Sequence, residues 1–173
     1  SVGYDMYLKL LNDAVLEQQG KTAPTRVECS ADITVAAYIP ESYVPAARQR
    51  MDLYRRIAAL RTPEDESELT DELLDRYGDV PPPVTALLRV ALLRAAAMDC
   101  GVTDITQKGR QLVFSFDDRV DAAALLAVCT MAAYRSRAQL SAGAVPRLTL
   151  YMQPGEEPLA AAGALVEALR LHE

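Results

Sequence analysis

The chain has 173 residues, half of them apolar and 24% charged, with a formal net charge of −6. That length holds one domain, or at most two small ones, around a real core. The composition excludes a wholly disordered chain, and no apolar run approaches the roughly 20 residues of a membrane helix. No basic segment followed by an apolar core and a small-residue cleavage site opens the chain, so the expected address is the cytoplasm. A start at Ser1 that enters a helical pattern within a few positions reads as a piece of something longer.

In chain order, apolar residues at 4, 7, 8, 11, 14 and 15, ending at Gly20, predict an amphipathic helix with a glycine C-cap. KTAPTRVEC reads as a loop and ADITVAAYIP as a strand that Pro40 terminates. VPAARQRMDLYRRIAALR predicts a second helix with Met51, Leu53, Tyr54, Ile57, Ala58 and Leu60 mostly inward. Thr62 as N-cap, Pro63 at the first helical position and Asp65 three on from the threonine open a third helix, which Gly78 closes. Pro81 to Pro83 predict an extended link into a long Leu/Ala helix capped by Gly101.

Beyond Gly101 the apolar period changes from helical to alternating. DITQKGRQLVFSF predicts a hairpin around Lys108-Gly109 that aligns Leu112, Phe114 and Phe116 on one side. Asp117 to Arg119 make a turn, VDAAALLAVCTMAA a helix, PRLTLYM a strand and EPLAAAGALVEALRLHE a closing helix begun at Pro158. Residues 134 to 146 fit no period. Helices and strands mix without a βαβ rhythm, which predicts α+β: a small mixed or antiparallel sheet of about four strands with about six helices packed around it. One domain over 1–173 is expected, mainly helical to residue 101 and then hairpin, helix, strand and helix.

The residue types that carry common chemistry are missing or scattered. Cys29, Cys100 and Cys129 form no CxxC pair and have no histidine nearby, so each is expected to be a small buried apolar side chain rather than a metal ligand or half of a disulfide. The single histidine, His172, stands next to the last residue, a poor place for acid or base work. The glycines never approach a phosphate-loop spacing, and serines such as Ser115 have no histidine to activate them. No catalytic residue, metal or cofactor is therefore assigned.

Charge carries the signal instead. Residues 62 to 79 hold eight acids, at 64, 65, 66, 68, 71, 72, 75 and 79, against one base, Arg76. Residues 45 to 61 run the other way, with Arg48, Arg50, Arg55, Arg56 and Arg61 against Asp52. On a helical wheel Leu69, Leu73 and Tyr77 share one arc, and Glu68, Asp71, Glu72 and Asp75 are expected on the opposite one, toward solvent. Glu64 and Asp65, in the first turn, gain about 0.3–1 kcal/mol each from the helix dipole, whereas Glu72 and Asp75 near the other end gain nothing from it. Two readings follow: a solvated face paired with the arginines of the preceding helix, or a docking face for a basic partner. For Arg48, Arg50, Arg55 and Arg56 an exposed basic face is expected, with contact to nucleic acid or polymerase as the alternative.

GYDMYLKLLNDAV, YIPESYVPAARQRMDLYRRIA and DELLDRYGDVPPPVTALLRVALLRAAA, in that order, resemble the C-terminal domain of the bacterial transcription-repair coupling factors, the Mfd family. The likeness covers residues 3 to 101 and then rests on the order of elements; Ala46 stands where the resemblance leads one to expect an acid. The resemblance implies a regulatory module without chemistry or cofactor, attached behind ATP-driven DNA translocase domains. It implies docking on a UvrB-like module of the same polypeptide, over the surface that UvrA would engage, until engagement of RNA polymerase releases it. In that resemblance Glu72 and Asp75 match acidic positions that meet arginines of the UvrB-like module, with Asp71 and Glu68 beside them. No membrane and no direct nucleic-acid partner is implied.

Overall fold

The structure is a computed structural model and describes residues 28–141 and 143–172. The amphipathic pattern at 4–20 lies outside them. The chain forms two compact units. Among the described residues, one takes in Val35–Ala95 and the other residues 28–34 together with those from Ala96 onward.

The first unit is helical. Helix α1 spans Ala47–Ala58 and buries Leu53, Tyr54 and Ile57. Its N-cap is Ala46, which offers the first turn no side-chain acceptor, so the position where an acid was expected is an uncapped helix start. Helix α2 spans Pro63–Tyr77 and begins with the predicted reciprocal cap: Asp65 N–H donates to Thr62 Oγ1 at 3.1 Å while Thr62 N–H donates to Asp65 Oδ2 at 3.2 Å. Gly78 ends it at φ 85°, a conformation that favours glycine.

Helix α3 spans Pro82–Asp99. It begins inside the proline run rather than after it. Pro82 and Pro83 occupy the first turn, where a missing N–H leaves nothing unsatisfied, and the Pro81 carbonyl accepts from Val84 and Thr85 N–H at 3.0 and 3.1 Å.

The predicted strand over 31–40 is mostly not a strand. Only β1, Ser30–Asp32, pairs; residues 33–40 keep alternate burial, with Ile33, Ala37 and Ile39 inside, but form no ladder. Their N–H groups go elsewhere: Thr34 to Gln107 Oε1 at 2.9 Å, Tyr38 to the Pro83 carbonyl at 3.2 Å, and Ile39 to the Tyr54 hydroxyl at 2.9 Å. Alternation records burial, and here burial came without a neighbouring strand.

The second unit is a mixed five-stranded sheet in the order β1-β2-β3-β5-β4, with β2 Val102–Lys108, β3 Gln111–Phe116, β4 Ala138–Ser141 and β5 Arg147–Tyr151. β1 runs parallel to β2 and the other pairs are antiparallel. The predicted hairpin turns at Gly109, φ 59°. Ile105, Leu112, Phe114, Leu148 and Leu150 are buried, on alternate positions of their strands. Helix α4, Ala122–Thr130, packs on β4 and on helix α5, Pro158–Leu171. Asp121 caps α4, its Oδ1 accepting from Ala123 and Ala124 N–H at 2.9 and 3.4 Å.

With five helices and five strands among the described residues, the fold is α+β as expected, and the extra strand, β4, comes from the stretch that fitted no period. Cys29 and Cys100 are buried, but Cys129 on α4 is only partly so, against expectation; burial still raises its thiol above the ordinary value.

Candidate docking face on the first helical unit

Leu69 and Leu73 bury the inner stripe of α2, and its acids distribute themselves around the rest of the helix. Glu68, Asp71 and Asp75 are exposed and have no ion-pair partner among the described residues. Leu74, 45% exposed, stands at the edge of their arc, three positions after Asp71.

Glu72 departs from the expected solvent arc. Three positions after buried Leu69, it falls on the flank of the stripe, and its side chain is 37% exposed. There α1 meets it. Arg56 Nη1 donates to Glu72 Oε2 and Arg56 Nη2 to Oε1 at 3.1 Å, a two-pronged grip, while Arg76, one turn on, brings Nη1 to 3.7 Å of Oε2. The Arg56 hydrogen bond, and then its charge, hold the Glu72 carboxyl below the ordinary range, and the same bond raises Arg56. Half-exposed groups of this kind are screened, so the pair is worth only about 0.2–1 kcal/mol.

The other arginines of α1 are committed in different directions. Arg50 Nη1 donates to the Val44 and Pro45 carbonyls, each at 2.8 Å, and its Nη2 lies 3.6 Å from Glu41; Arg55 pairs with Asp52 at 3.3 Å. Arg48 alone of the four has no ion pair among the described residues. The structure therefore does not gather Arg48, Arg50, Arg55 and Arg56 into one unoccupied patch.

Between α1 and α2 lies an open cleft of about 400 Å³ lined by Arg56, Ala59, Leu60, Asp65, Glu68, Leu69 and Glu72. Asp65 is consumed by the cap, where Arg61 and Thr62 N–H both reach Oδ2. Glu68 is not. The cleft thus presents carboxylates with a single base, Arg56, among its lining residues.

At the far end of α2, two tyrosines hold the last turn. Tyr43 donates its hydroxyl toward the Leu73 carbonyl at 3.2 Å and the Gly78 carbonyl at 3.0 Å, and its ring lies 5.7 Å from that of Tyr77. Tyr77 reaches Gln49 Oε1 at 3.3 Å, and Arg76 stacks 5.1 Å over the Tyr77 ring. These contacts offset the unfavourable position of Asp75 and Asp79 at a helix C-terminus. Sequence reasoning missed Tyr43, Arg76 and Leu74. The Glu72/Arg76 spacing of four and the position of Leu74 off the Leu69/Leu73 stripe were readable signals, whereas the reach of Tyr43 from another segment was not.

Among the described residues, no group of three histidine, cysteine or acidic side chains is placed to hold a metal, and no helix is long and apolar enough to cross a membrane.

A family model described as the TRCF domain matches residues 33–125. The transcription-repair-coupling factor of Bacillus subtilis (strain 168) is 40% identical over 98 residues, 56% of this chain and 8% of that protein. The one from Staphylococcus haemolyticus is 31% identical over 121 residues, 69% of this chain and 10% of that protein. The chain thus spans a tenth or less of the length of these relatives. A solved structure, the crystal structure of the C-terminal domain of transcription-repair coupling factor, superposes with a TM-score of 0.70, covering 83% of this chain and 92% of that one at 20% identity, a likeness of fold.

Proposed function

Since the chain belongs to the TRCF domain family, we propose that it is a non-catalytic, autoinhibitory module of a transcription-repair coupling factor. The module docks through α2 on a UvrB-like module of the same polypeptide and masks a UvrA-binding surface until polymerase engagement releases it. The observation that carries this reading is the free acidic ridge. Glu68, Asp71 and Asp75 are exposed with no internal counterion among the described residues, at helix positions where their charge does not help the helix. Leu74 supplies an exposed apolar group at one edge of the ridge, beside Asp71, so that a docked partner would bury an apolar contact next to the charges. Arginines on the partner surface are the matching chemistry.

The energetics suit a latch. Exposed Arg–carboxylate pairs contribute about 0.2–1 kcal/mol each, so a handful gives a contact that opens. Tethering supplies an effective concentration near the millimolar range, which keeps such a weak contact closed. In the full-length protein, Glu72→Lys with Asp75→Lys is expected to raise UvrA affinity measured without DNA or polymerase by about tenfold, the result of losing two pairs and adding repulsion. Unchanged affinity would discard the latch.

A further inference from the structure

Glu72, unlike Asp71 and Asp75, is not free. Both its oxygens are engaged by Arg56 of α1, with Arg76 close by, and Arg56 is the one base lining the cleft that also presents Glu68. An arginine arriving from a partner surface would find its best two-pronged acceptor already holding a guanidinium. We infer that Arg56 is a built-in competitor for the docking partner, an internal guanidinium that must release Glu72 before the partner can take it, and that it thereby sets how easily the latch opens. This rests on the docking reading and adds to it a residue on the opposite helix, with the reverse sign: removing a positive charge from α1 tightens the contact.

Geometry makes the exchange feasible. Arg56 and Glu72 remain 46% and 37% exposed, so the pair sits at the mouth of the cleft, and its guanidinium can swing into water without stranding a buried charge. Arg76 stays on the same helix as Glu72 and stacks on Tyr77, so it remains in place when Arg56 leaves. An exposed pair of this kind changes an equilibrium constant by up to about fivefold, enough to tune a latch but too little to hold it shut alone.

The test uses the full-length protein and its UvrA affinity without DNA or polymerase. While the closed state predominates, that affinity scales with the open fraction. Arg56→Gln frees Glu72, closes the latch more firmly, and is expected to lower UvrA affinity about two- to fivefold. Arg48→Gln removes the same charge from the same helix at an exposed position with no ion pair, and is expected to change affinity by less than half as much. Because Arg56 also fastens α1 to α2, Arg56→Lys serves as a second variant. It keeps the charge and loses the two-pronged grip, and its affinity should fall between those of wild type and Arg56→Gln. Asp75→Lys in parallel reports on docking itself. If Asp75→Lys raises UvrA affinity while Arg56→Gln and Arg56→Lys leave it unchanged or raise it, or if Arg48→Gln matches Arg56→Gln, the competition is overturned and docking stands. If Asp75→Lys has no effect, the docking reading itself is overturned.

Discussion

Gly101 shows how one residue can be fixed by its surroundings. It follows α3 with φ 77°, and a Cβ built on it would lie 2.8 Å from Val120 N and 3.0 Å from Asp117 Oδ1. Both penalties of a side chain apply: left-handed backbone, about 1–2 kcal/mol, and a clash with the backbone at Val120 that something must shift to relieve. Gly155 has nearly the same φ, 79°, but a Cβ there meets nothing within 4 Å. Gly101→Ala should therefore lower stability by about 2–4 kcal/mol and Gly155→Ala by only about 1–2 kcal/mol. Thermal unfolding of both variants separates the two effects, and equal losses would mean that the Asp117–Val120 turn yields. The sequence identifies Gly101 as a helix terminator from its place after a Leu/Ala helix, but the close approach of Val120 is a tertiary fact that no local pattern encodes.

At the scale of elements, two of the ion pairs differ in setting. Arg56–Glu72 joins α1 to α2 at the surface. Arg137–Glu156 is more enclosed: Arg137 is 15% exposed and Glu156 23%, Nη1–Oε2 is 2.7 Å, Arg137 Nε donates to the Ala133 carbonyl at 2.9 Å, and Gln153 N–H donates to Glu156 Oε2 at 2.9 Å. Burial pushes the Glu156 carboxyl up, but the bonds from Arg137 and Gln153 outweigh it and leave it lowered; Glu72 is lowered chiefly by the Arg56 bond. A carboxyl whose folded value lies below its unfolded one stabilises the protein above the ordinary range, about pH 4.3, and that contribution disappears as pH falls through the folded value. Glu156→Gln should lower stability at pH 7 by about 1–3 kcal/mol and Glu72→Gln by about 0.2–1 kcal/mol. Both differences from wild type should shrink toward zero below about pH 4 in thermal melts, and a difference that grows on acidification would reverse the assignment. The elements these pairs join were unequally legible. Thr62, Pro63, Asp65 and Gly78 mark both ends of α2 with local capping chemistry, so its bounds follow from sequence. β4, Ala-Gln-Leu-Ser, has no β-branched residue and three exposed residues of four, and it becomes a strand because β5 and the Arg137 clamp offer it an edge. Wheel reasoning placed Glu72 with the outward acids because it tracked the α2 stripe alone, whereas α1 decides which flank of that stripe is covered.

At the scale of the whole molecule, the contrast of sign is sharpest in the first helical unit, where most of the positive charge of α1 is paired locally and much of the negative charge of α2 is not. Three of the four arginines of α1, Arg50, Arg55 and Arg56, spend their charge on Glu41, Asp52 and Glu72. Eight of the 24 acids fall within residues 62–79, and Glu68, Asp71 and Asp75 there keep theirs unpaired among the described residues, so negative charge is concentrated along α2. A field of that sign attracts a basic protein surface and repels phosphates, which separates the docking reading from its nucleic-acid alternative without any mutation. Association of this chain with the separately expressed UvrB-like module should slow by about tenfold or more as salt rises from about 0.01 to 0.15 M, because screening shortens the reach of the α2 charge from about 30 Å to about 8 Å. A gel shift with duplex DNA at about 0.15 M salt should show no complex, since an acidic surface releases no counterions from the duplex. A complex with DNA that weakens steeply with salt, together with association rates to the UvrB-like module that ignore salt, would move the functional face from the acids of α2 to Arg48 and its neighbours on α1.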